Sequence, residues 1–254
     1  MNRDWKLALA GGLAGAVIAV IVLVAASTTG LIPNTGGRAG TEKIVHDYLL
    51  KNPEIVIAMM NALDSKQTAS QDIARQEAVN KLGMDAFFDP NIAFIVGPKD
   101  AKTTFVEFSD YNCPFCRSSQ PGVEAFFKAH PNARYAFIEF PIKGPDSMIA
   151  SRAAIAARNQ PGKYLKLHFA LMSEKDRVDE ARVFEVAKAA GIDIDKLKKD
   201  MNDPATDATI AAAHKLAEAA KIDGTPAFIV NGLIREGAVD DKQLTQMAKK
   251  ASES

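Results

Sequence analysis

Cys113 and Cys116 are the only cysteines in this 254-residue sequence, and they stand together as Cys113-Pro114-Phe115-Cys116. A disulfide closing so short a loop removes little entropy from the unfolded chain, so it would staple a fold poorly. Two thiols at this spacing can instead close a ring and reopen it by exchange with another disulfide. The other chemistry open to them is half of a zinc site, which needs two more ligands. The histidines (His46, His130, His168 and His214) form no His-x-x-x-His pair, and no second Cys-x-x-Cys exists. Redox exchange is therefore favoured, with no metal or cofactor expected, and each histidine reads as an ordinary surface or satisfied side chain.

Positioning decides which cysteine reacts. The β-rich run 103–108 precedes the pair, and helical spacing through Val123, Phe126 and Phe127 follows it. Cys113 is thus expected at the first turn of a helix, where unpaired N–H groups and the helix dipole favour an anion. Such a setting lowers a thiol pKa from about 8.5 to roughly 3.5–7.5 and makes a nucleophilic thiolate. Pro114 fits the first helical position, where a missing N–H costs nothing. Cys116, one turn further in, should be more buried and less ionised, and should resolve the mixed disulfide.

The N-terminus sets the compartment. Arg3 and Lys6 precede an uncharged run from Leu7 to Ala26. About 20 helical residues span roughly 30 Å, the thickness of a bilayer's hydrocarbon core. A cleaved signal with a site near Ala25-Ala26-Ser27 is the alternative, but the run is long for one. In both readings the chain after Ser27 is exported, so the expected location is periplasmic, anchored to the inner membrane by an N-terminal helix. Outside the cytoplasm a Cys-x-x-Cys pair can exchange with substrates that need disulfides. Lysine plus arginine and aspartate plus glutamate balance at 31 each, so bulk charge gives no reason to expect a nucleic-acid partner.

Residues 29–40 have linker composition. Residues 41–89 read as a helical stalk, with Thr41 as a cap, then Ile44, Val45, Tyr48 and Leu49 at helical spacing. After Asn52-Pro53, an apolar stripe runs through Ile55, Val56, Met59, Met60 and Leu63 on a helix of about 30 residues. Self-association through residues 41–82 is favoured over the helix folding back on its own domain. From residue 90 the texture is α/β. Strands are expected at 92–96, 103–108 and 135–140, and a helical block at about 146–221 with breaks at Pro161-Gly162, Gly191 and Pro204. A hairpin turning at Asn231-Gly232 and a closing helix follow.

The strand leading into Cys-Pro-Phe-Cys and the distant Gly224-Thr225-Pro226 together resemble the thioredoxin fold. The helical block between them is similar to the insertion of the DsbA-like branch. The segment 106–116 (Val-Glu-Phe-Ser-Asp-Tyr-Asn-Cys-Pro-Phe-Cys) is similar to that family's active-site segment. The N-terminal extension resembles the ScsC-like isomerases. The resemblance spans about residues 90–250 and implies several roles. Glu107 becomes a buried acid beneath the cysteines that accepts the proton of Cys116. Thr225-Pro226 becomes a cis-proline loop facing the disulfide, where Thr225 backbone groups, with Pro114 and Phe115 nearby, receive an extended substrate.

Two departures bear on direction. Phe115 stands where DsbA carries a histidine that stabilises the thiolate, and threonine before the proline resembles the isomerases. Both lean towards an isomerase or reductase acting on cysteine-containing proteins, served by a membrane redox partner. A DsbA-type dithiol oxidase is the nearest alternative, and a non-catalytic binding or holding protein the remote one.

Overall fold

The computed structural model describes residues 38–252. The apolar run 7–26 and the expected membrane helix lie outside them, and no described helix is long and apolar enough to cross a membrane. The chain divides into two compact units, one ending at Gln67 and the other running from Thr68.

In the first unit, α1 (Arg38–Lys51) is followed by the first half of α2 (Glu54–Leu82). Helix α1 begins before Thr41, so that residue does not cap it, and residues 38–40 belong to the helix rather than to the expected linker. Of the expected apolar stripe, Ile44, Val45, Tyr48, Val56, Met59, Met60 and Leu63 are exposed, while Leu49 and Ile55 are half-buried. The stalk reading fails further along. Val79 of α2 and Phe87 and Phe88 of the following 3-10 turn (Met84–Phe88) are buried in the core of the second unit.

That core is built on a five-stranded sheet of order β1-β3-β2-β4-β5. Its strands are β1 (Phe94–Val96), β2 (Thr104–Ser109), β3 (Arg134–Glu139), β4 (Ala227–Val230) and β5 (Leu233–Glu236). β2 and β3 are parallel, joined by α3 (Pro114–Ala129), whereas β1, β4 and β5 pair antiparallel to their neighbours. β1 is shorter than expected because Ile92 and Ala93 donate instead to Asp89 O in a turn. Alternation at period two sends Phe105, Tyr135, Phe137, Phe228 and Val230 to one face. Val106, Phe108, Ala136, Ile138 and Ile229 go to the other. The hairpin turn is the expected one: Asn231 and Gly232 both have positive φ, 48° and 86°, as a two-residue type I′ turn requires.

Between β3 and β4 lie α4 (Pro145–Ala157), α5 (Tyr164–Met172), α6 (Glu180–Ala189), α7 (Ile194–Met201) and α8 (Pro204–Ala219). The expected breaks recur, with one more at residues 173–179, where Asp179 caps α6 by accepting from Arg182 N. Helix α9 (Asp241–Ser252) closes the chain against α3. The two helices approach so closely at Gly122 that a Cβ there would fall 2.8 Å from Asp241 N. Helix α3 is thus pinned by α9 on one flank and by the inserted helices on the other.

Candidate active site

Cys113 is the N-cap of α3, with extended backbone (φ −85°, ψ 118°), and Pro114 holds the first turn as expected. The turn before it is fixed by Asp110, whose carboxylate accepts from Asn112 N (2.7 Å), Ser147 Oγ (2.7 Å), Ile142 N (2.7 Å) and Lys143 N (2.8 Å). Arg117 adds a clamp from the helix itself, donating from Nε to Tyr111 O at 2.7 Å. The cysteine loop is therefore tied to the chain after β3 and to the start of α4 before any substrate arrives.

The two thiols are unbridged, and both are closed off, Cys113 at 0% and Cys116 at 1% exposure. Burial therefore does not separate them as expected, because Cys113 turns inward and donates from Sγ to Thr225 O at 3.1 Å. Electrostatics separates them instead. The Cys113 pKa is lowered to about 5, chiefly because the Cys116 thiol can donate to its thiolate; Thr225 and the backbone N–H groups of Cys116 and Phe115 add to this against an opposing burial effect. Cys116 moves the other way, raised by burial, by its bond to Cys113 and by the nearby Glu107.

Glu107 is fully buried on the Phe105 face of β2, and neither carboxyl oxygen has a hydrogen-bond partner among the described residues. Burial, with Glu139 nearby, pushes its pKa up to about 8. Thr225-Pro226 is a cis peptide, as the loop was expected to be. Thr225 Oγ1 is buried without a partner of its own among the described residues, which leaves it available to a Cys113 thiolate. Pro114 is exposed, and Phe115 is 63% exposed beside the thiols.

Sequence reasoning missed a second buried carboxyl. Glu139, diagonal to Glu107 across the β2–β3 register, accepts from Tyr111 OH (2.9 Å), Tyr164 OH (2.8 Å) and Ser151 Oγ (3.1 Å). Burial raises its pKa to about 7 against those bonds. His168 joins through Nδ1, 3.0 Å from Tyr111 OH, and burial lowers its pKa to about 3, so the ring is neutral. With Tyr111 donating to Glu139, its oxygen is left to accept from the ring, which suits the tautomer with the proton on Nδ1. His168 is thus no surface residue, although Nδ1 is satisfied. These partners lie 12 to 57 positions apart, and no local pattern announces them.

The thioredoxin family pattern matches residues 91–250, which includes every residue of this site. The chain belongs to the DsbA-like, ScsC-like thioredoxin-fold family. The pattern of the copper resistance protein ScsC N-terminal domain matches residues 41–69 as well, so the family likeness extends into α1 and α2. A solved thioredoxin-like oxidoreductase from Silicibacter pomeroyi is 39% identical, covers 68% of this chain and 99% of its own, and superposes with a TM-score of 0.63. Proteus mirabilis ScsC in a transitional conformation is 31% identical, covering 86% of this chain and 100% of its own, with a TM-score of 0.63. A periplasmic thioredoxin-like protein from Salmonella enterica serovar Typhimurium is 28% identical over 66% of this chain and 95% of its own, with a TM-score of 0.56. Among curated relatives, the chain matches Na(+)/H(+) antiporter NhaA 3 of Salinispora tropica at 28% identity over 62% of its own residues. It spans about a quarter of that relative's length (24%).

Proposed function

We propose that this chain is an exported thiol–disulfide oxidoreductase of protein substrates, working chiefly as an isomerase or reductase. The observation that carries the reading is the opposed pair: Cys113 drawn down to about 5, Cys116 pushed up beside a buried Glu107. The Cys113 thiolate attacks one sulfur of a substrate disulfide, and the other sulfur leaves as a thiolate. Cys116 then gives its proton to ionised Glu107 and attacks Cys113 Sγ, expelling the second substrate thiolate. The substrate gains two electrons and the pair becomes a disulfide. In isomerisation a different substrate thiolate instead attacks the substrate sulfur bonded to Cys113, which forms a new substrate disulfide and expels the Cys113 thiolate with no net redox change.

Two observations favour this direction over dithiol oxidation. Phe115 offers the thiolate no side-chain donor, which leaves it less stabilised than in DsbA and the disulfide less oxidising. The apolar residues exposed along α1 and the start of α2 suit self-association, which would bring several redox pairs to one misfolded substrate. Export follows from the apolar run 7–26 and agrees with the periplasmic Salmonella relative. A membrane anchor and a membrane redox partner that resets the pair belong to the same reading.

Paired assays test the direction: refolding of a substrate with scrambled disulfides, and oxidation of a reduced one. The scrambled substrate should recover activity faster than the reduced one is oxidised, and Cys113→Ser should abolish both. Faster oxidation would reverse the assignment to a DsbA-type oxidase. Activity retained by Cys113→Ser would leave only a binding role.

A further inference from the structure

The second half of α2 contributes nothing to the thiol chemistry, yet it grips the loop that carries Thr225. Arg75 projects from α2 and is only 7% exposed. Its Nε–H donates to Lys221 O at 3.1 Å, Nη2 to Asp223 Oδ1 at 3.1 Å and Nη1 to Asp72 Oδ1 at 3.2 Å. Glu236 Oε2 of β5 lies 2.8 Å from the same Nε as an ion-pair partner. Asp72 and Asp223 are largely exposed, so solvent weakens their pairs. The Lys221 carbonyl and the Glu236 carboxylate are the sheltered partners. Lys221 takes a left-handed conformation (φ 57°) just after α8, where the chain turns towards Thr225. Glu236 also lies directly against Gly224, so that a Cβ there would have to displace its carboxylate.

Gln76, the next residue, holds the other end of the same hairpin. Its Nε2 donates to Gly232 O at 2.7 Å, and its Oε1 accepts from Ile234 N at 3.1 Å. A side-chain amide thus occupies part of the outer edge of β5. Between them, two adjacent residues of α2 secure both ends of the hairpin that begins after Pro226.

We infer that Arg75 is a positioning residue for substrate docking: its guanidinium holds the segment 221–225 against β5, so that Thr225 meets the substrate strand in a fixed place. This rests on the reading of Thr225 as the residue whose backbone receives the substrate. A guanidinium suits the task because its rigid planar fork presents donors to a carbonyl and to carboxylates in fixed directions, whereas an ammonium is a compact point charge on a flexible stem. The loop it steadies also presents Thr225 O to Cys113.

The test uses the full chain and a disulfide-bridged peptide, with kcat and KM measured separately for wild type, Arg75→Met and Arg75→Lys. Arg75→Met should raise KM roughly tenfold with kcat within about twofold, and Arg75→Lys should fall between it and wild type. If Arg75→Met does not fold, Arg75→Lys and Glu236→Gln carry the test with the same expected rise in KM. KM unchanged in the folded variants, or kcat falling as far as KM rises, overturns the proposal. A peptide N-methylated at successive positions beside its disulfide separates the two readings. If no N-methyl group weakens binding to wild type, the docking role of Thr225 fails and the proposal falls with it. If one does, and the Arg75 variants bind normally, only the role of Arg75 is lost.

Discussion

At the scale of single residues, the chemistry depends on a buried acid that serves as a base only once it has lost its proton. Glu107 has no hydrogen-bond partner among the described residues, and its pKa is raised from 4.5 to about 8. As the base for Cys116 it is competent only when ionised, so resolution of the mixed disulfide should speed up as pH rises through about 8. Glu107→Gln should flatten that profile and slow resolution about a hundredfold, at the low end of what a positioned base contributes, roughly 10²–10⁴. Stopped-flow release of a labelled substrate reads both effects, and an unchanged profile would remove Glu107 from the mechanism. Stability runs the opposite way. The folded chain holds a proton that the unfolded chain gives up near 4.5, so this contribution is full below 4.5 and is lost as pH rises through 8. Glu107→Gln should therefore raise the melting temperature more at pH 8 than at pH 4. A second prediction concerns Thr225, whose hydroxyl helps hold the Cys113 thiolate. Thr225→Val should raise the Cys113 pKa, read from thiolate absorbance against pH, and make the pair more reducing. Cys113, Cys116, Thr225 and Pro226 were legible in a short motif and a distant Thr-Pro, and Glu107 only through the family resemblance. Glu139, Tyr111 and His168 were not, because only packing of β3 and α5 beneath the cysteines brings them together.

At the scale of elements, the sheet was legible wherever side chains alternate. Phe105, Glu107 and Phe137 share one face and Val106, Ala136 and Ile138 the other, a pattern that only the pleat produces. The sequence misled where local and tertiary demands compete. Residues 173–179 carry no proline or glycine, so nothing announced a break between α5 and α6. Helix α2 read as one stalk, although Arg75 and Val79 belong to the second unit. Periodicity records that a face is apolar without saying what covers it. The contact between α3 and α9 offers a direct check. Gly122→Ala would force a methyl against Asp240 and Asp241 backbone and should cost about 1–3 kcal/mol in chemical denaturation, the usual range for overpacking. A change of a few tenths would mean that α9 shifts freely.

At the scale of the whole molecule, a helical segment with exposed apolar residues precedes the domain that carries the thiols. Met59 and Leu63, at 64% exposure each, lie one turn apart on α2 within the stretch that matches the ScsC N-terminal pattern. Light scattering on the full chain should give a multiple of the monomer mass, and Met59→Glu combined with Leu63→Glu should reduce it to one chain while peptide reduction is kept. An identical mass for both would assign that surface to something other than a second copy. The central claim is that Cys113 is the attacking thiol and Cys116 the resolving one. Its most direct test is to mix the Cys116→Ser chain with a disulfide-containing protein and look for a covalent adduct by mass spectrometry. The account predicts a mixed disulfide on Cys113, reversed by dithiothreitol and absent when Cys113 is also changed to serine. A folded Cys116→Ser chain that captures nothing would contradict it.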